Sequence, residues 1–190
     1  MRSTVTTLGE IEVLNPRGER VKLSSLWSDG PTVAVWLRHF GCMYCLEQAA
    51  VLMAALPRLQ SAGGSLLFIG NGSPEQAMRF QQLKTPGASV VTDPDRTSYR
   101  ALGAHRSPLR LLGRGLLDGW WNARKLHVRQ EGLQGDALQL GAALVVEPPG
   151  RVLLTHINSS LGDHPSVEAL VKALGRATGA QATAPAKATV

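Results

Sequence analysis

The chain has only two thiols, Cys42 and Cys45, and sets them close together in the stretch AVWLRHFGCMYCLEQAA. A pair at this spacing can ligate a metal, cycle between dithiol and disulfide, or fill a core as two small apolar side chains. A structural zinc needs four ligands, usually as two paired knuckles. Here there is one knuckle, and His105, His127, His156 and His164 are scattered without an H-x₃₋₅-H pair. No metal or other cofactor is therefore expected. Between inert burial and redox chemistry, a lone CxxC in a chain that is not a disulfide scaffold favours redox chemistry.

The neighbouring residues say how such a pair would be held. The run TVAVWL, bounded by Gly30-Pro31 and Gly41, has the continuous apolar character of a strand buried on both faces. From Cys42 to about Gln60 the pattern turns helical, with Leu46, Ala49, Ala50, Met53 and Leu56 at spacings of three and four. Pro57 predicts a kink or break in that run, and Gly63-Gly64 stop it. Cys42 then lies at a helix N-terminus, where the dipole and free amides favour thiolate over thiol. Cys45 lies one turn further in. The expectation is an exposed attacking sulfur at Cys42 and a more buried partner at Cys45. Arg38 and His39 immediately precede the motif and can add positive charge. His39 can equally be a strand-end residue that hydrogen-bonds the backbone, and the sequence leaves both uses open.

The rest of the chain alternates as a mixed α/β domain does. IEVLNPRGERVKLSSL reads as a hairpin turning at Asn15-Pro16-Arg17-Gly18. SLLFIG is a second buried strand, and SPEQAMRFQQL opens a helix with Ser73 as N-cap and Pro74 in its first turn. ASVVTD is a short strand and RTSYRALG a short helix. AALVVEPPGRVLLTHI is a closing hairpin around Pro148-Pro149-Gly150, and HPSVEALVKALGRA the last helix. One domain is expected over residues 1–176. The stretch 177–190 carries no large apolar side chain before Val190 and is predicted to be a disordered tail.

Composition removes several classes. At 44% hydrophobic the chain can bury a core. No run approaches the ~18–20 apolar residues that span a bilayer, and the N-terminus lacks a secretory signal's apolar core. A protein of the reducing cytoplasm, without stable membrane insertion, is expected. The net charge of +6 is concentrated at Arg106, Arg110, Arg114, Arg124, Lys125 and Arg129. No nucleic-acid-binding signature surrounds these residues, so they read as a solvated basic face. In the same segment Leu109, Leu112, Leu116 and Trp120 form one helical stripe. Trp120 and Trp121 can fill the core, cap the cysteine site or pair subunits.

Taken together, FGCMYCLEQ after a strand, then FIGNGSPEQAMRF, VVTDPDRTSYRALG and the late Gly-Asp and Asp-His-Pro segments resemble the peroxiredoxin-like AhpC/TSA family. The likeness is to its peroxiredoxin-like 2, selenoprotein L-type branch and covers roughly residues 8 to 176. It implies a thioredoxin-like fold, a central mixed β-sheet flanked by helices with a peroxiredoxin-type N-terminal hairpin and insertions. It also implies thiol-dependent reduction of a peroxide or endoperoxide, with Cys42 attacking and Cys45 resolving. Thioredoxin, glutaredoxin or a small thiol would be the reductant, and a homodimer is one assembly it allows. Ordinary peroxiredoxins carry Pro-x-x-x-Thr/Ser-x-x-Cys; here Val35 and His39 stand at the Pro and Thr positions. Their second-site arginine falls near Gly141 and is missing. The competing reading is a thioredoxin-fold binding protein whose cysteines act as a redox switch without turnover.

Overall fold

The structure is a computed structural model that describes residues 8–104, 136 and 138–182, the last five as backbone. The basic, tryptophan-containing stripe at 105–130 and the tail beyond 182 lie outside the described residues.

The N-terminal hairpin forms as the turn residues direct. β1 (Glu12–Leu14) pairs antiparallel with β2 (Arg20–Lys22), Val13 opposite Val21. The Asn15 side-chain oxygen accepts from the amides of Arg17 and Glu19 at 2.9 and 3.0 Å, which closes the turn locally. Gly18 occupies the left-handed region there, at φ 83°. A 3-10 helix, Leu23–Trp27, follows.

β3 (Thr32–Trp36) is buried at every residue, as its unbroken apolar run requires. β4 (Ser65–Gly70) and β5 (Ser89–Thr92) continue parallel to it; β6 (Ala142–Glu147) and β7 (Arg151–Ile157) close the sheet antiparallel. Among the described residues the sheet has seven strands, in the order β2-β1-β5-β4-β3-β6-β7. Side chains alternate along β3. Val33 and Val35 face a core built with α1 (Met43–Ala54), α3 (Pro74–Lys84) and α5 (Val167–Ala182). Ala34 and Trp36 face a second core with Leu23, Trp27 and Tyr99, the last on α4 (Thr97–Leu102). β3, which runs into the cysteines, thus contributes to both layers, as do its neighbours β4 and β6.

The helical run expected from Cys42 to Gln60 divides at Ala55. α1 ends at Ala54, and a second helix, α2 (Leu56–Ser61), takes Pro57 into its first turn, where a missing N–H removes no helical bond. α3 starts with a reciprocal cap: Ser73 Oγ accepts from the Gln76 amide at 3.3 Å and Gln76 Oε1 from the Ser73 amide at 2.8 Å. α5 runs to Ala182, past the end expected at Ala177.

β3, β4 and β5 end on the same edge of the sheet, and the segment from Leu37 to Cys42 lies buried along it. Phe40 packs there on Phe80, ring centroids 5.2 Å apart. Gly70, at the end of β4, makes room for it: a Cβ on Gly70 would overlap the Phe40 ring. Gly70→Ala is expected to cost about 1–3 kcal/mol in urea unfolding, the range for overpacking a filled core. A loss below the error of the measurement would mean that the Phe40 ring has room to swing away.

Candidate active site

The pair stands where strand gives way to helix. Cys42 is the N-cap residue of α1, with extended backbone at φ −71°, ψ 124°, and Cys45 lies in the first turn. Both are free thiols and both are buried, 1% and 2% exposed. The exposed sulfur expected at Cys42 is thus corrected. The whole segment Leu37–Cys42 folds inward, and the side chain of one of the two cationic candidates that precede the motif lies against Cys42.

That side chain is Arg38. Its Nη1 donates to Cys42 Sγ at 3.1 Å, its Nε donates to the Gln139 carbonyl at 3.2 Å, and its main-chain amide reaches Cys45 Sγ at 3.3 Å. One residue therefore touches both sulfurs, the charged end on one and the backbone on the other.

These contacts separate the two thiols electrostatically. Cys42 is held down at about 6. The largest cause is hydrogen bonding by the Cys45 thiol; burial opposes it, and the Arg38 charge and the Cys45 and Tyr44 amides add to the lowering. Cys45 is pushed the other way, well above the usual thiol range, by burial first and then by its bond to Cys42 and the charge on it. At neutral pH the pair is one thiolate and one thiol donor.

His39 takes no part in that arrangement. It is 2% exposed, its Nδ1 has no hydrogen-bond partner, and burial followed by the Arg38 charge lowers its pKa to about 4. The ring is neutral at neutral pH, so the positive charge on Cys42 comes from Arg38. Of the uses left open for His39, only those of a neutral imidazole remain.

The missing second-site arginine has a steric reason. Gly141 enters β6 directly against the end of β3, and a Cβ on it would overlap the Trp36 carbonyl oxygen. No side chain fits at that point; the guanidinium that meets Cys42 Sγ is that of Arg38, just past the end of β3.

Two hydrogen-bonded groups brace this edge. The Tyr99 hydroxyl lies between the carbonyls of Leu37 and Ile69, at 2.6 and 3.0 Å, and ties the ends of β3 and β4 together. Asp93 accepts from the Ser98 amide and hydroxyl at 2.7 and 2.5 Å, and Ser98 Oγ in turn accepts from Trp36 Nε1 at 2.9 Å. Close to Gly141, whose carbonyl accepts from the Asn158 amide at 3.0 Å, His164 Nδ1 meets Asn158 Nδ2 at 3.2 Å, and His156 Nε2 meets Asp163 Oδ1 at 2.9 Å. Among the described residues no three His, Cys, Asp or Glu side chains converge as metal donors.

The comparisons agree with the fold. The sequence model of the AhpC/TSA antioxidant enzyme family matches residues 51–160, C-terminal to the cysteine pair. Peroxiredoxin-like 2C of Homo sapiens is 30% identical over 182 residues, covering 88% of this chain and 79% of that protein. A prostamide/prostaglandin F synthase of Salmo salar is 33% identical over 174 residues, covering 87% and 84%. Among solved structures, the peroxidoxin BcpB of Mycobacterium tuberculosis superposes with a TM-score of 0.61 at 19% identity, covering 86% of this chain and 90% of that one. The central mixed sheet and its flanking helices are the thioredoxin fold of the peroxiredoxins. With the family's sequence model spanning more than half of its length, the chain belongs to the peroxiredoxin-like AhpC/TSA family.

Proposed function

We propose that the protein reduces a peroxide or endoperoxide through a dithiol–disulfide cycle of Cys42 and Cys45. The observation that carries the reading is the Arg38 guanidinium 3.1 Å from Cys42 Sγ, which favours the thiolate that must attack. In the cycle the thiolate attacks one peroxide oxygen; an S–O bond forms and the O–O bond breaks. The departing oxygen leaves with the electron pair and takes a proton, which neutral His39 is proposed to relay. Cys45 then attacks the sulfenic acid, a disulfide forms and water leaves. An external dithiol or two thiols restore the pair, so each turn converts ROOH and two thiol equivalents into ROH, water and a disulfide. An endoperoxide opens instead to a sulfenate ester, its other oxygen taking the proton. Cys45 then attacks the Cys42 sulfur and displaces the ester oxygen as a second hydroxyl, so both oxygens stay on the product and no water leaves. The relative whose name is prostamide/prostaglandin F synthase supports including that class.

The proposed reductant is thioredoxin, glutaredoxin or a small thiol, and the proposed compartment the cytoplasm, whose thiol pool keeps such a pair reduced. Among the described residues no helix is long and apolar enough to cross a membrane. Steady-state consumption of a hydroperoxide and an endoperoxide panel, with each reductant in turn, tests the function. Turnover is expected with the unsubstituted protein and none with Cys42→Ser. The near-complete burial of both sulfurs favours a second reading, a redox switch on a binding protein. A single stoichiometric oxidation, with no recycling by any reductant, would establish that reading instead.

A further inference from the structure

Arg38 is a long side chain whose charged end reaches Cys42 only if the guanidinium plane is held. Its Nε bond to the Gln139 carbonyl does this, and the two residues are 101 positions apart in the chain. The Gln139 carbonyl is in turn fixed by its own side chain. Gln139 is 2% exposed, and its Nε2 donates to the carbonyls of Ala104 and Leu140 at 2.7 and 3.0 Å. Its amide donates to the Asp136 carbonyl at 3.2 Å.

Asp136 is anchored twice more. Its amide donates to Asn71 Oδ1 at 3.1 Å, at the end of β4, and its carboxylate pairs with Arg96. Arg96 holds the left-handed backbone at φ 57°, unusual for a residue with a Cβ. The Asp93–Ser98 turn keeps it there, the Arg96 amide donating to the Asp93 carbonyl at 3.0 Å. A chain of contacts thus runs from Arg96 through Asp136 and Gln139 to the guanidinium on the sulfur.

We infer that Gln139, Asp136 and Arg96 are positioning residues that hold the Arg38 guanidinium against Cys42 Sγ. None of them touches the sulfur, and each acts through the carbonyl of Gln139. The inference rests on reading Cys42 as the reactive thiolate, but it does not require turnover.

The test is the pH profile of Cys42 alkylation by iodoacetamide in the full chain, with the modified cysteine identified by mass spectrometry. Gln139→Met removes both side-chain hydrogen bonds at similar volume. Arg96→Asn removes the ion pair while keeping a residue that tolerates the left-handed region; Arg96→Lys keeps the charge. Both Gln139→Met and Arg96→Asn are expected to move the profile to higher pH, slowing alkylation at pH 6 about twofold to fivefold, the effect of a half-unit to one-unit rise. Arg96→Lys should restore most of the loss.

In an Arg38→Met background, Gln139→Met should shift the profile no further, because the contact it supports is gone. Unchanged profiles in Gln139→Met and Arg96→Asn, or additive shifts in the Arg38→Met background, overturn the inference. If Gln139→Met does not fold, the partly exposed Arg96 pair decides alone. A normal titration alongside absent peroxide turnover would count against the proposed function and leave the positioning role standing.

Discussion

Arg38→Met is expected to move the Cys42 titration upward by about one to two units, the lower part of the range for losing an opposite charge in contact with an ionised group, because the Cys45 bond remains. From a starting value of about 6, a two-unit rise reduces the thiolate present at pH 6.5 about 25-fold. The midpoint of the alkylation profile is the quantity to read, because a more basic thiolate is also a better nucleophile and partly masks the loss in plateau rate. The Cys45 thiol and the helix amides remain in the variant, opposed by burial, so some lowering survives. Arg38→Lys should fall in between. An ammonium keeps the charge but cannot bond Sγ and the Gln139 carbonyl along two fixed directions of one plane. If the midpoint of Arg38→Met stays where it began, the guanidinium contact does not govern the sulfur.

A second large effect is expected in acid. His39 is buried as a neutral ring and titrates at about 4 instead of the ordinary 6.5. A depressed value of this kind contributes stability that is complete above the unfolded value, about 6.5, and is lost as the pH falls through about 4. The folded protein resists taking up the proton that the unfolded chain accepts. The 2.5 units between the two values correspond to stabilisation on the order of 2 kcal/mol once solvent screening is allowed for. His164, held at about 4 chiefly by burial, adds a loss of the same sign. Urea unfolding at half-unit steps from pH 7 to pH 4 should therefore show stability falling steeply. His39→Gln should flatten that fall, and His39→Gln with His164→Gln should flatten it further. Parallel curves for the unsubstituted protein and His39→Gln would show that the imidazole is already protonated in the folded state.

The sequence revealed those features that depend on near neighbours. The apolar run ending at Gly41 specifies a strand, the spacing from Leu46 onward specifies a helix, and the Cys42 position between them follows. Ser73 with Gln76, and Asn15 with Gly18, are equally local devices and form as expected. What the residue order left undecided was which of two adjacent cationic candidates meets the sulfur. At a strand end, successive side chains leave on opposite faces, and nothing in the order Arg38-His39 says which face the sulfur shares. The burial of Cys42 was missed for a related reason. Exposure at a helix start depends on what folds over it, and here Arg38 is oriented by Gln139, which is remote in sequence. The Arg96–Asp136 pair, 40 residues apart, leaves no periodic trace at all. Gly141 was legible as the place where an arginine is lacking, but the reason, a main-chain oxygen of β3 filling the space, belongs to the sheet.

The stabilisation of the Cys42 anion, by the Cys45 thiol first and the Arg38 charge with it, also sets how hard it is to reduce the pair once it is oxidised. Joining Cys42 to Cys45 abolishes the anion on Cys42, and the guanidinium loses the charge it was stabilising. The dithiol form is therefore favoured over the disulfide by whatever free energy the anion had gained. For a thiol lowered from the ordinary value to about 6, that gain at pH 7 is about 1.4 kcal/mol, or about 30 mV for a two-electron couple. The disulfide is a stronger oxidant by that amount than an unassisted pair in the same loop. Recycling it is correspondingly easier, and donors of modest reducing power come within reach.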